Sequence, residues 1–274
     1  MPTTYSHYAF GQDVFTLLKP ATQREILPYM DLYHLGVHGP DILFYYHVVK
    51  KNAINQYGVK VHHEPARDFF EHALKVYRAH GDKRKARAYL AGFMTHFILD
   101  STCHPYIRKR IRQTGISHTE IETDLDMILM RKNGLNPASY NPACHMRGRW
   151  DYARVIAPYF CKTTRQFLEC VLDMKLVINH IFRSHFGLKR WVLDKVGGRF
   201  YPRLNLIHYY VKPEINPANE ETCMRLLGLY KGCQEECAAM IEELFLFLDG
   251  KNNEFIDHPR LKKCSPENTK EVIT

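Results

Sequence analysis

The sequence has 274 residues, enough to bury a core without disulfide or metal scaffolding. With 45% hydrophobic and 24% charged residues, 15 glycines and 14 prolines, it excludes the disordered, collagenous and low-complexity classes. A net charge of +9 admits phosphodiesters, nucleic acid or anionic lipid as partners without choosing among them.

Helical spacing dominates the chain. Apolar positions recur every three to four residues over 6–18 and again over 65–80, where Pro65 sits at a natural first helical position. A long helix is predicted over 83–103, with a basic start and Pro105 as its stop. The segment 106–116 reads as a loop. Helices are expected near 118–131, 150–168, 168–186 and 219–248, separated by Asn-, Pro- and Gly-rich connections at 132–149 and 197–218. No run alternates as strands do, and no repeat is visible. The expectation is an all-α protein, one helical domain over 1–274, with its chemistry in 1–130 and additional helices without assigned chemistry in 131–274.

Eight cysteines form neither a CxxC pair nor a zinc-finger spacing, and they read as reduced thiols. Cys233 and Cys237, one turn apart, are expected to pack in the core. No signal peptide and no transmembrane run is visible, so a cytoplasmic protein is expected.

Sixteen histidines are the unusual feature. In GFMTHFILDSTCHPY, His96, Asp100 and His104 follow at i, i+4 and i+8, forming one helical stripe that rises roughly 6 Å per step. Gly92 continues the stripe backwards and leaves room for close approach. The neighbours Phe93, Met94, Phe97, Ile98 and Leu99 are apolar, as in a buried helix. A single His–Asp pair would be an ordinary structural pair. Three ligand-type side chains on one buried stripe point to metal, because each would otherwise be desolvated at a cost of several kcal/mol.

In ISHTEIETDLD, His118 and Glu122 again stand at i, i+4. Ser117 with Glu120, or Thr119 with Glu122, matches a helix-starting capping box. Assigning the box to Ser117 and Glu120 leaves His118 and Glu122 on one face. Upstream, His7 lies near the start of the first helix, and Asp41 reads as a loop carboxylate after the Gly39–Pro40 turn. His62 and His63 precede Pro65 at the start of the next helix. A His and carboxylate set without thiolate suits hydrolytic rather than structural zinc. His34 and His38 share i, i+4 spacing, but Gly36 and Gly39 assign them turn or supporting roles; His72, His80, His180, His185, His208 and His258 show no partner spacing.

Four segments, YSHYAFGQDV, LGVHGPDILFYY, AYLAGFMTHFILDSTCHPYI and SHTEIETDLD, carry a resemblance to the bacterial zinc-dependent phospholipase C family, over residues 1 to about 130. The wider superfamily includes single-strand-specific zinc nucleases and the catalytic region of glycosylphosphatidylinositol-specific phospholipase D. The resemblance implies an all-helical fold with two or three zinc ions in a cleft. It implies that His96, Asp100, Asp41 and His62 hold one ion, with Asp100 bridging to a second. His104, His118 and Glu122 would hold another, and His7 the third together with Asp100. His62 is preferred over His63 from its distance to Pro65. Phospholipases of this kind use the amino group of an N-terminal Trp as a ligand. Here Met1 stands six residues before His7, so the count stays at two or three.

The function these features imply is a zinc-dependent phosphodiester hydrolase, phospholipase C-like, using metal-activated water with Asp41 as proton acceptor. Its substrate would be a phospholipid or other phosphodiester, with transient membrane surface contact. The alternatives are a nuclease or nucleotide phosphodiesterase, and a catalytically silent, metal-stabilised helical binding protein. Phe44, Tyr45 and Tyr46 could line a headgroup pocket, stack a nucleobase or fill the core, the last being expected for at least two of them. The basic clusters Lys83, Arg84, Lys85, Arg87 and Arg108, Lys109, Arg110, Arg112 read as solvated faces.

Overall fold

A 32-residue helix forms the spine of the computed structural model, which describes residues 4–79, 81–179 and 214–262. In chain order the helices are α1 (Thr4–Leu17), α2 (Pro20–Ile26), α3 (Met30–Gly36), α4 (Ala53–His63), α5 (Ala66–Ala79), α6 (Lys83–Thr114), α7 (His118–Lys132), α8 (Trp150–Ile156), α9 (Thr164–Val177), α10 (Glu220–Gly232) and α11 (Gln234–Leu248). A tighter 3₁₀ turn spans Gly39–Tyr45. No strand occurs among the described residues, so the fold is all-α as expected. The spine is α6, against which α1, α3, α7, α10 and α11 all pack.

Local chemistry starts and stops these elements. The Asp82 carboxylate accepts the Lys85 N–H at 3.2 Å and opens α6, and Gly115, at φ 70°, closes it with its N–H on the Ile111 carbonyl at 2.8 Å. Pro105 does not end this helix. Its ring removes the bond to the Ser101 carbonyl, a cost of about 3 kcal/mol, but the next turn buries Ile107 against the neighbouring helices. Beyond it Arg110 Nε donates to Thr222 Oγ1 at 2.8 Å, tying the extension to α10. The loop expected at 106–116 is therefore mostly helix, because packing outweighs the lost bond.

The helix expected over 150–168 is interrupted: a 3₁₀ turn containing Pro158 and a left-handed Cys161 (φ 52°) separate α8 from α9. The one expected over 219–248 breaks at Cys233, which is the junction of α10 and α11; Cys233 and Cys237 are nonetheless both buried. Three helices, α2, α3 and α4, are absent from the sequence expectation, because 7, 7 and 11 residues are too short to display a clear period. His62 and His63 accordingly end α4 rather than begin α5, and Glu64 turns extended before Pro65.

The basic clusters are not merely solvated. Lys83 Nζ donates to the last carbonyls of α5, at Tyr77 and Arg78, and Arg87 links Glu25 (3.0 Å) to Asp249. Seven described cysteines are free thiols, and burial pushes those of Cys170 and Cys223 up to about 12. Cys264, His80, His180, His185 and His208 lie outside the described residues, as does most of the 197–218 connection. No described helix is long and apolar enough to cross a membrane.

The crossing of α3 and α6 sets the position of everything nearby. A Cβ on Gly92 would collide with the Tyr33 carbonyl, and one on Gly36 with the Tyr89 carbonyl. Both obstacles are backbone, which cannot swing aside. Gly92→Ala is expected to lower stability by about 3 kcal/mol or more in urea denaturation. Gly228→Ala in α10, where nothing lies within 4 Å, is expected to raise it by about 0.5–1 kcal/mol. Equal effects at the two sites would contradict this crossing.

Candidate metal centre

The α6 stripe is the floor of the centre. His96, Asp100 and His104 are all buried, and Asp100 stands between the two imidazoles: its Oδ2 is 3.6 Å from His96 Nε2 and its Oδ1 3.6 Å from His104 Nε2. From α1, His7 Nε2 approaches Asp100 Oδ1 at 3.3 Å, and its ring stacks on His96 with centroids 4.5 Å apart. From the end of α4, His62 Nε2 lies 3.8 Å from Asp100 Oδ2. Four imidazoles thus surround one carboxylate.

The remaining acids flank this group. Asp41 belongs to the first turn of the 3₁₀ segment rather than to an open loop, and it is buried. Gly39, at φ 48°, allows this: a Cβ there would strike the His96 ring. The segment can therefore lie across His96 and bring Asp41 Oδ1 to 2.9 Å from His62 Nε2. On the other side, Ser117 accepts the Glu120 N–H at 3.3 Å and starts α7, so that His118 Nε2 meets Glu122 Oε1 at 2.8 Å and His104 Nε2 meets the same oxygen at 3.4 Å. Three sets of donor atoms gather closely enough to share an ion: His7, His96 and Asp100; Asp41, His62 and His96; His104, His118 and Glu122. All eight residues singled out in the sequence converge here. His63 does not: it is exposed, its Nδ1–H spent on the Val59 carbonyl.

Several buried donor atoms of the centre face one another without a hydrogen bond. His62 Nδ1–H donates to the Gly58 carbonyl at 2.8 Å, which leaves Nε2 of the neutral ring as an acceptor pointed at a carboxylate. Neither His62 Nε2 nor Asp41 Oδ1 has an aligned hydrogen bond; nor do His96 Nδ1 and Nε2, Asp100 Oδ2 or Glu122 Oε2. Buried polar atoms are nearly always satisfied, and these are nitrogen and carboxylate oxygen without sulfur. A borderline divalent ion such as zinc fits that donor set.

The electrostatics are consistent with positive charge being wanted here. Burial would raise the Asp100 carboxyl, but His104, His96 and His7 hold it well below its usual range. Burial likewise works against ionised Glu122, yet His118 and His104 depress it. His7, His62 and His104 move the other way: burial lowers them, and Asp100 or Asp41 more than restores the charged form. His96 stays desolvated and falls to about 4.

Two residues escaped the sequence reading. Asp126 extends the α7 stripe of His118 and Glu122 by one more i+4 step, a signal that was present. Its carboxylate accepts the N–H groups of Tyr5 (3.0 Å) and Ser6 (2.8 Å) and the Ser6 hydroxyl, capping α1 from 120 residues away and setting the position of His7. Burial still pushes its carboxyl up to about 7. His145, in the 132–149 connection, pairs its Nε2 with His38 Nε2 at 2.7 Å and stacks on Tyr8, while His34 is held by Gln12 at 3.0 Å. No spacing rule links 38 to 145. Of the three aromatics after Asp41, Tyr45 is buried, Phe44 stacks on His62 and Tyr46 on His47.

An all-α frame that buries imidazoles around carboxylates in this way offers metal sites of the His/Asp/Glu class. The chain belongs to the zinc-dependent phospholipase C family: the family described as zinc dependent phospholipase C matches residues 6–179. The match runs past residue 130, where the resembling segments end, and includes α8 and α9. No curated protein and no solved structure matches the chain significantly.

Zinc takes imidazole in its neutral form, so ion and proton compete. The raised values of His7, His62 and His104 give the zinc-free protein a stabilisation that is full below pH about 6.5 and is lost as pH rises through their folded values. The increase in melting temperature on adding zinc is therefore expected to grow from about pH 5 to about pH 8. An increase that shrinks over that range would contradict binding at these imidazoles. Asp126→Ala, leaving the α1 N–H groups buried and unpaired, is expected to cost about 1–3 kcal/mol in urea denaturation.

Proposed function

We propose that this chain is a zinc-dependent phosphodiester hydrolase of the phospholipase C type, acting on phospholipid. The observation that carries the reading is the set of buried, unpaired nitrogen and oxygen donors around Asp100. The family supports lipid as substrate class and gives the nucleic-acid alternative no support. The donors His96, Asp100, Asp41 and His62 would hold one ion, His104, His118 and Glu122 a second, and His7 with Asp100 a third. When bound, zinc supplies an activated water and polarises a phosphoryl oxygen.

The chain supplies orientation and proton transfer. Asp100 fixes His7, His96 and His104 by charge, and the Gly58 carbonyl fixes the tautomer of His62. Burial disfavours ionised Asp41, but His62 and then His96 hold its carboxyl below the usual value. It is therefore ionised at neutral pH and available to take the proton of the attacking water. The water oxygen forms a bond to phosphorus, the bond to the leaving alkoxide breaks, and the alkoxide ends with that proton. The His118 side chain is 33% exposed while the other imidazoles of the centre are 5% or less. His118 is thus the imidazole of the centre nearest solvent.

His96→Ala is expected to lower hydrolysis of phosphatidylcholine and of a chromogenic phosphodiester by more than about 100-fold, beyond what loss of an outer partner does. Asp41→Asn is expected to cost about 10²–10⁴-fold in kcat. Full activity in His96→Ala, or turnover unaffected by a zinc chelator, would overturn the proposal. Faster cleavage of single-stranded DNA than of phosphatidylcholine would move the substrate to nucleic acid.

A further inference from the structure

Half of the large apolar side chains exposed among the described residues are carried by three segments that pack together. Leu172 and Leu176, one turn apart on α9, are 48% and 57% exposed, and Val49 and Trp150 are 60% and 57% exposed. Two contacts bring their segments together. The His47 N–H donates to the Asp173 carboxylate at 2.9 Å, which lays the loop carrying Val49 along α9. A Cβ on Gly148 would come within 2.8 Å of Leu172 Cδ2, which places the stretch leading to Trp150 against the same helix. The 3₁₀ segment that carries Asp41 packs on α9 as well, so this face adjoins the metal centre.

Basic side chains flank the apolar patch. Lys50, Lys51 and Arg147 are exposed and Lys175 partly so. The acids of this face are already engaged: Asp173 with the His47 N–H, Glu169 with Arg165 at 2.8 Å and Asp151 with Arg149 at 2.9 Å. We propose that this face docks the protein onto an anionic lipid surface. Exposed leucines and a tryptophan enter the headgroup boundary, while lysine and arginine meet anionic lipid around them. A second copy of the chain fits poorly, because a two-fold contact would set these positive charges against their own copies. The proposal deepens the phospholipase reading by naming where lipid is met, and it rests on that reading for its choice of partner.

The test is co-sedimentation of the full zinc-loaded chain with vesicles of phosphatidylcholine alone and of phosphatidylcholine with phosphatidylserine, at low and high salt. Binding is expected to the mixed vesicles, to weaken with salt, and to be weaker without phosphatidylserine. Trp150→Glu with Leu176→Glu should abolish it. Lys50→Ala with Lys51→Ala should weaken it roughly 30-fold, about fivefold for each charge. Met224→Glu, 56% exposed on α10, whose neighbours are α6 and α7, should bind as the parent does. Circular dichroism checks folding, and the lysine pair carries the test should the glutamate pair misfold. Hydrolysis of a soluble chromogenic phosphodiester should be unchanged in every patch variant. Its absence from the parent would overturn the catalytic reading, with vesicle binding still deciding the docking face. The proposal is overturned if the parent ignores anionic vesicles, if both pairs of substitutions bind normally, or if the parent is a dimer that the glutamate pair makes monomeric.

Discussion

A carboxylate in the middle of an apolar helix is the constraint from which the rest follows. Asp100 cannot remain charged inside that shell without positive partners, and the interior offers no water to supply them. The chain answers with imidazoles from three helices: His96 and His104 on its own helix, His7 from α1 and His62 from α4. These rings do not satisfy one another, because nitrogen lone pairs and carboxylate oxygens are left facing each other. A divalent cation among the donors would satisfy both kinds of atom at once.

The surrounding architecture holds those donors in place. Gly36 and Gly92 let α3 and α6 approach to backbone contact, and Gly39 passes over His96 to deliver Asp41. One stripe on α7 does two tasks: His118 and Glu122 enter the centre, and Asp126 caps α1 so that His7 reaches Asp100. Positioning therefore depends on helix ends and crossings at least as much as on the ligand-bearing helix itself.

How much of this was legible in the sequence follows from what local spacing reports. His96, Asp100 and His104, like His118 and Glu122, sit at i, i+4 steps on single helices, so their common face could be read directly. His7, Asp41 and His62 come from separate elements. Nothing local joins them to the stripe, and only the family resemblance placed them there. The choice of His62 over His63 depends on α4, a helix too short to show its period, with Gly58 where it meets Leu43 and Phe44. Pro105 misled for the opposite reason: the local rule is sound, but burial of the following turn outweighs it. The remote cap by Asp126 and the His38–His145 pair join positions about 120 and 107 residues apart, which no pattern within a window reveals.

Phosphodiester hydrolysis at this centre requires metal bound at the nitrogen and oxygen donors around Asp100. Zinc-edge X-ray absorption on the purified protein, with metal content measured on the same sample, tests this most directly. The expected result is zinc coordinated by imidazole nitrogen and carboxylate oxygen alone, with the signal and the bound zinc both diminished in Asp100→Asn. Sulfur in the coordination shell, or an unchanged spectrum and metal content in that variant, would contradict it.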